Sequence, residues 1–332
     1  MKSASRTVLF TLFCLTFSFI FSSACRPQPK EFQLVEDLQI GVDQRDENLI
    51  FGSVAAVSLD NEANIYLLDW PNYRIQIFTQ DGHFLKSFPI KKGQGPTEIA
   101  ALSGVAVHPD GKITLLDRGA SKIVSLDKNG QILGHFKLDF SPTGIGALDE
   151  NRIAILGLKE EKLVHLYDLQ GHHLESFGEP FAPPSRVTAY KDVPLIKQPL
   201  HFDCSASGKI FLANPYAYEI QVYENGQLQQ TLKGQSKLFF PLKVQTRTAG
   251  DRRQLSLFWC TINVVEHQGR LYAGLRSFST KKKNHLEIFE KGKSVAILEV
   301  EGVLRAIDDQ GRLYFSEEIP YPVMKRYRVE TK

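Results

Sequence analysis

The sequence predicts an all-β chain folded as a six-bladed β-propeller of four-stranded blades, the ring closed by an N-terminal strand in the last blade. Three observations predict it. No stretch shows a convincing 3.6-residue period, while short runs rich in Val, Ile, Leu, Tyr and Phe alternate with turn dipeptides. The turns repeat as one motif every 40 to 60 residues or so, the period of propeller blades rather than of helical solenoids. The last repeat lacks its final strand, and an unassigned strand stands at the start of the chain.

The first element is a leader. Met1 to Arg6 is short and basic, Val8 to Phe21 is an apolar run of fourteen residues broken only by Thr and Ser and one Cys, and Ser22-Ser23-Ala24 follow. That is a secretory signal, short for a membrane span. Ser22-Ser23-Ala24-Cys25 resembles the lipobox of bacterial lipoproteins, with Ser where Leu is usual, and the resemblance implies that Cys25 becomes the lipidated first residue. The alternative is ordinary cleavage near Ala24 that leaves a plain thiol. Acyl chains contribute roughly 0.8 kcal/mol per buried CH₂ and would hold the protein on a membrane. Arg26-Pro27-Gln28-Pro29-Lys30 reads as a short stiff tether. The organisation is therefore 1–24 signal peptide, 25–31 lipidated cysteine and tether, and 32–332 propeller.

Composition agrees with a folded soluble body. The chain is 42% hydrophobic, with 40 Lys and Arg against 37 Asp and Glu. Removing Lys2 and Arg6 with the leader lowers the formal charge from +3 to +1, so no global basic field argues for nucleic acid.

The repeat starts at Phe32 to Ile40, a strand in search of a sheet. Six first turns follow, at Ala63-Asn64, Asp110-Gly111, Glu150-Asn151, Ser207-Gly208, Gln268-Gly269 and Gln310-Gly311. Five second turns lie at Asp81-Gly82, Asn129-Gly130, Gln170-Gly171, Asn225-Gly226 and Lys291-Gly292. Each is a tight turn needing positive φ, supplied by Gly or Asn, between apolar strands. The sixth unit ends at Lys332 one strand short, and Phe32 to Ile40 completes it, removing the free edges.

Tyr66-Leu67-Leu68-Asp69, then Asn72-Tyr73-Arg74-Ile75-Gln76-Ile77-Phe78 and Asp81-Gly82-His83-Phe84-Leu85, are similar to the NHL repeat. Gly93-Gln94-Gly95-Pro96-Thr97-Glu98 resembles the link between its first blades. The chain thus resembles six-bladed NHL-type propeller lipoproteins of bacterial envelopes over residues 50 to 135, with only periodicity beyond. The resemblance implies a lipid-anchored binding or scaffolding module for a protein, peptide or glycan. Arg26 after Cys25 is not the Asp of inner-membrane retention, so the outer membrane is the expected location, periplasmic or surface-exposed.

All the tight turns share one face of such a ring, so function is expected on the other. There the second-to-third loops place Trp70, Arg118, Tyr216, Arg276 and Tyr321, with Lys281-Lys282-Lys283, as a cationic aromatic binding face. The plainer reading has Trp70 and Tyr216 packing on neighbouring blades and the lysines solvated. Two long crossings, Gly178 to Leu200 and Gly234 to Leu257, reach the same face as loops of the length that usually carries function. The glycines at 93 and 95 read as a structural crossing, because no helix and no Lys-Ser/Thr pair follow.

No catalytic set is signalled, and no cofactor is expected. The alternative is a metal-dependent, lactonase-like hydrolase or lyase at the channel mouth. His201, Asp203 and Asn263, on inner strands, would form a calcium-type oxygen cage, with Arg305 one blade further on. His83, His108, His172, His173 and His267 fall at the tight turns, away from that mouth. A third reading is a spacer with no ligand. Cys204 and Cys260 stand at heights differing by about 16 Å on adjacent strands, too far for a disulfide.

Overall fold

In the computed structural model the described residues are 31–331 except 45, 191–192, 200–201, 206, 250–251, 259 and 278–282. Cys25 and the leader, with His201, Lys281 and Lys282, lie outside them. Side chains at 194, 247–249, 252–255 and 261 are likewise outside.

Six antiparallel four-stranded sheets are present. Blade one is Val54–Leu59, Ile65–Asp69, Arg74–Phe78 and Phe84–Pro89, and blade two is Leu102–Val107, Ile113–Asp117, Lys122–Leu126 and Ile132–Lys137. Blade three is Pro142–Ala147, Arg152–Lys159, Lys162–Asp168 and His173–Phe177, and blade four is Phe202–Cys204, Ile210–Ala213, Glu219–Glu224 and Gln227–Lys233. Blade five is Thr261–His267, Arg270–Arg276, Asn284–Glu290 and Lys293–Val300. Blade six is Val303–Ile307, Leu313–Glu317 and Val323–Thr331, with Phe32–Ile40 outermost.

Burial explains the sequence pattern of each strand. Second and third strands such as Ile65–Asp69 and Lys122–Leu126 are buried throughout, because sheets cover both their faces, so they read as continuous apolar runs. Outer strands have one solvated face, and Phe84–Pro89 alternates at every residue. Each of the six seams between neighbouring blades holds its own apolar cluster, from Ile75, Leu115 and Val124 between blades one and two to Ile40, Leu67 and Tyr314 between six and one. The inner strands touch one another in order around the axis, blade six returning to blade one. Near the axis there is no room for side chains between some of them: a Cβ on Gly146 would stand 2.6 Å from Cys204 Sγ.

The closing strand pairs as expected, Phe32 opposite Thr331 and Ile40 opposite Met324, with a bulge at Asp37. The bulge turns Asp37 onto Arg326 at 2.7 Å, and Arg326 Nη1 donates to the carbonyl of Gln80 in blade one. One arginine therefore ties together the first strand, the last strand and the next blade.

The turns follow two recipes. Asn225-Gly226, Gln268-Gly269 and Lys291-Gly292 have positive φ at both residues, near 50° and 75°, as two-residue hairpin turns require. Others use an aspartate: Asp308 Oδ1 accepts the amides of Gln310 and Arg312 while Gly311 takes φ 77°. Two first turns depart from expectation: neither Glu150 nor Asn151 has a positive φ, and in the first unit Ala63 and not Asn64 has the positive φ of 59°. Asp60 accepts both the Asn64 amide and its side-chain Nδ2, at 2.9 Å each, which aligns Asn64 with the strand and moves the strained position back one residue.

A second correction concerns the crossing from Gly234 to Leu257. It is not a plain loop: Lys243–Ala249 and Arg252–Phe258 pair as an added hairpin outside the six blades. The crossing after blade three contains two 3₁₀ turns, Ser185–Tyr190 and Pro194–Ile196. Cys204 and Cys260 are not joined in a disulfide. Among the described residues no helix is long and apolar enough to cross a membrane.

Candidate functional site

The two faces of the ring differ in how much of their polarity is already used. On the tight-turn face the aspartates at the turns bind their own backbone: Asp60, Asp127, Asp149, Asp168 and Asp308 each accept amides two to four residues on. His108 is fully buried there, bonded to the Asp149 carbonyl at 2.6 Å and Thr114 Oγ1 at 2.8 Å, and burial lowers its pKa.

On the loop face, blades one and two share a bracket. Asp69 is fully buried and accepts from the Gly52 amide at 3.0 Å, Asn72 Nδ2 at 2.8 Å and Arg74 Nε at 2.9 Å. Asp117 accepts the amides of Ala100, Ala101 and Ala120 and stands 3.8 Å from Lys122 Nζ. Each carboxylate thus joins the strand arriving from the previous blade to the loop that follows it. The sequence signal is an Asp closing the second strand and a cation opening the third, present in both blades. The bracket orients Trp70, which is 42% exposed, and Arg118, which is exposed.

The glycine-rich link is structural, as expected. Glu98 folds back so that its Oε2 accepts the Gly95 amide at 3.0 Å, and a Cβ on Gly93 would fall 2.0 Å from that same oxygen. The loop's own carboxylate fills the place an anion would take, its pKa lowered by its bonds to Lys91 and the Gly95 amide.

The long crossings converge over blades four and five and pack on each other. Val187, Ile196 and Leu242 form a small buried cluster, joined by Tyr190, Val244 and Leu257, and Tyr190 Oη lies 2.7 Å from Thr246 Oγ1. This cap corrects the expectation for Tyr216. Its ring packs into the cap cluster and its hydroxyl donates to the Ile196 carbonyl, so it is a prop under the cap and not an exposed anchor. Sequence could not show this, because the partners are 20 or more residues away. Tyr321 is half-buried. Lys283 pairs with Glu301 at 2.9 Å and is not a free cation. Arg276 is exposed at the edge of a cleft lined by His285, Val300, Gly302 and Leu304 between blades five and six.

The central channel carries the remaining candidates. Asp203 Oδ2 accepts the Val264 amide at 2.8 Å across the seam between blades four and five. Burial pushes its carboxyl up to about 7, opposed by that bond and by Arg305. Asn263 Oδ1 is buried without a partner among the described residues. Calcium takes six to eight oxygen ligands. Here one carboxylate and one amide face a guanidinium, and no group of three or more His, Cys, Asp or Glu converges among the described residues. The described donors do not fit calcium, and His201 lies outside them.

Over residues 40–155 the chain matches the model of a family described as a 6-bladed beta-propeller, DUF5128. No curated protein matches it. Among solved structures it is similar to a DUF4221 family member from Bacteroides vulgatus, at TM-score 0.60 and 12% identity over 92% of this chain and 100% of that one. It is similar also to a Bacteroides fragilis protein described as exported, at 0.59 and 12%, covering 90% and 95%. A catalytically inactive virginiamycin B lyase from Staphylococcus aureus with quinupristin matches at 0.51 and 12%, covering 90% and 100%. These likenesses are of fold.

Proposed function

We propose that this protein is an NHL-type envelope lipoprotein, lipidated at Cys25, whose loop face binds a protein, peptide or glycan partner without catalysis. The observation that carries the reading is the cap. Two long crossings, unnecessary for closing the ring, are built into a packed structure on the loop face, the face that also carries the exposed Trp70, Arg118 and Arg276. Loops of this length in a compact domain are ordinarily functional. The fold likeness to an exported Bacteroides protein supports an envelope location, with the outer membrane as the proposed site. The path of the chain supports the orientation. Phe32 stacks 5.3 Å from Arg270, which opens the strand after a tight turn, so a tether reaching Cys25 leaves from the tight-turn face. The loop face then points away from the membrane.

The test places a photo-crosslinking residue at position 70, 118 or 276, and at 128 on the tight-turn face, in cells making the lipidated chain. Discrete adducts from the loop-face positions alone are expected; adducts from 128 alone, or none, would overturn the reading. A second reading is the metal-dependent hydrolase or lyase, favoured only by Asn263 Oδ1, unpartnered among the described residues, near Asp203 in the channel. Elemental analysis decides it: about one calcium per chain, lost in Asp203→Ala, would put it first.

A further inference from the structure

The inner strand of blade six carries a bulge. Leu304 pairs with Phe315 and Ala306 with Tyr314, which makes Arg305 the extra residue and re-aims its side chain. Arg305 Nε donates to Ser316 Oγ at 2.8 Å. Ser316 stands one residue before its strand ends on the loop face, so the guanidinium is turned up to the channel mouth. That bond uses one of its five N–H groups. Arg276 ends the second strand of blade five, which packs directly against the strand of Arg305. Among the described residues neither arginine has a carboxylate within 4.0 Å.

Two guanidinium groups on one rim repel. Burial first, and then the charge of Arg276, lowers the pKa of Arg305 to about 10. The carboxylates that could neutralise them are engaged elsewhere. Glu318 Oε1 accepts the Ser53 hydroxyl at 2.8 Å, and Asp203 Oδ2 accepts the Val264 amide at 2.8 Å. The fork of an arginine matches both oxygens of a planar carboxylate. Flanking Glu318 and Asp203 would oppose a second negative charge on the ligand, which favours a monoanion over phosphate.

We propose that the channel mouth is a carboxylate-binding site, in which Arg305 offers its terminal N–H pair to both ligand oxygens and Arg276 covers them from the rim. The partner then docks by inserting a chain end or an acidic side chain. This rests on the loop-face reading above and names the chemistry it recognises.

The probe is N-acetylglycine, a peptide-end mimic, titrated into the mature chain while the arginine Nε–Hε signals are followed by NMR. N-acetylglycinamide serves as the neutral control and inorganic phosphate as the competing anion. The Arg305 and Arg276 signals are expected to move and saturate with N-acetylglycine alone. Arg305→Lys, which keeps the charge but loses the fork, and the surface variant Arg276→Gln should each weaken binding about tenfold, and Glu318→Gln should tighten it. Equal shifts with the amide, saturation by phosphate but not by N-acetylglycine, or no saturation at all would each overturn the site. Crosslinks from position 70 that persist while N-acetylglycine fails to bind would sink this inference and leave the loop-face reading standing. Binding without loop-face crosslinks would do the reverse.

Discussion

Blades one and two and blades four and five are built from the same four strands, but they end their second strands differently. In the first pair Asp69 and Asp117 close those strands and are spent on backbone amides and a neighbouring cation. In the second pair Asn214 and Arg276 stand at the corresponding ends, the carboxylate that holds the crossing comes from a third strand, Glu287 accepting the amides of Gln235 and Ser236, and long crossings fold into a cap. Where a carboxylate has locked the loop there is little polarity left for a ligand. Where an arginine ends the strand instead, no carboxylate lies within 4.0 Å of it among the described residues.

The largest expected effect breaks the locked side. Lys122 is almost fully buried and its Nζ also donates to the carbonyls of Gly95 and Glu98, so Asp117→Ala strands a buried charge. A loss of about 3–5 kcal/mol in urea unfolding is expected; Arg276→Ala should stay within about 0.5 kcal/mol. Similar costs for the two would dissolve the contrast.

Next come opposite pH dependences. The raised carboxyl of Asp203, about 7 against an ordinary 3.8, means that ionising it costs stability as pH climbs from about 4 to 7. Asp203→Asn should therefore raise the melting temperature at pH 8 and change it little at pH 4, with a gain of roughly 1–3 kcal/mol. Asp203 is only half-buried, which screens its charge. His108 and His165, in blades two and three, behave in the other sense. Both pKa values lie below 6.5 because burial disfavours the charged ring. Their contribution to stability is complete above pH 6.5 and is lost as pH falls below it. Amide exchange in blades two and three should accelerate between pH 6.5 and 5 after correction for intrinsic rates, and a His108→Asn, His165→Asn variant should flatten that response.

The cap should open locally with little effect on the ring. Leu242 is fully buried, and its cluster meets the ring through Tyr216, which also packs on the seam between blades three and four. Leu242→Ala should change global unfolding by less than about 1 kcal/mol while limited proteolysis between 234 and 258 accelerates about tenfold, as local opening predicts. Global loss equal to that of a seam variant such as Leu115→Ala would make the cap part of the ring.

Sequence alone determined the number of blades, the positions of their turns and the closing strand. Turn chemistry is local, and strand burial repeats with a period of two, so both are written within a few neighbouring residues. The hairpin at Lys243–Phe258 was legible in part, since Val244, Leu255 and Leu257 alternate with polar residues around Gly250-Asp251, but its length hid it among loops. Tertiary structure decided the rest. Tyr216 lies under residues that approach only when two crossings fold together, and Arg305 meets Arg276 only once blade six has closed against blade five. Such meetings depend on packing between segments far apart in the chain, where one bulge re-aims a side chain and a neighbouring charge determines what it is free to bind.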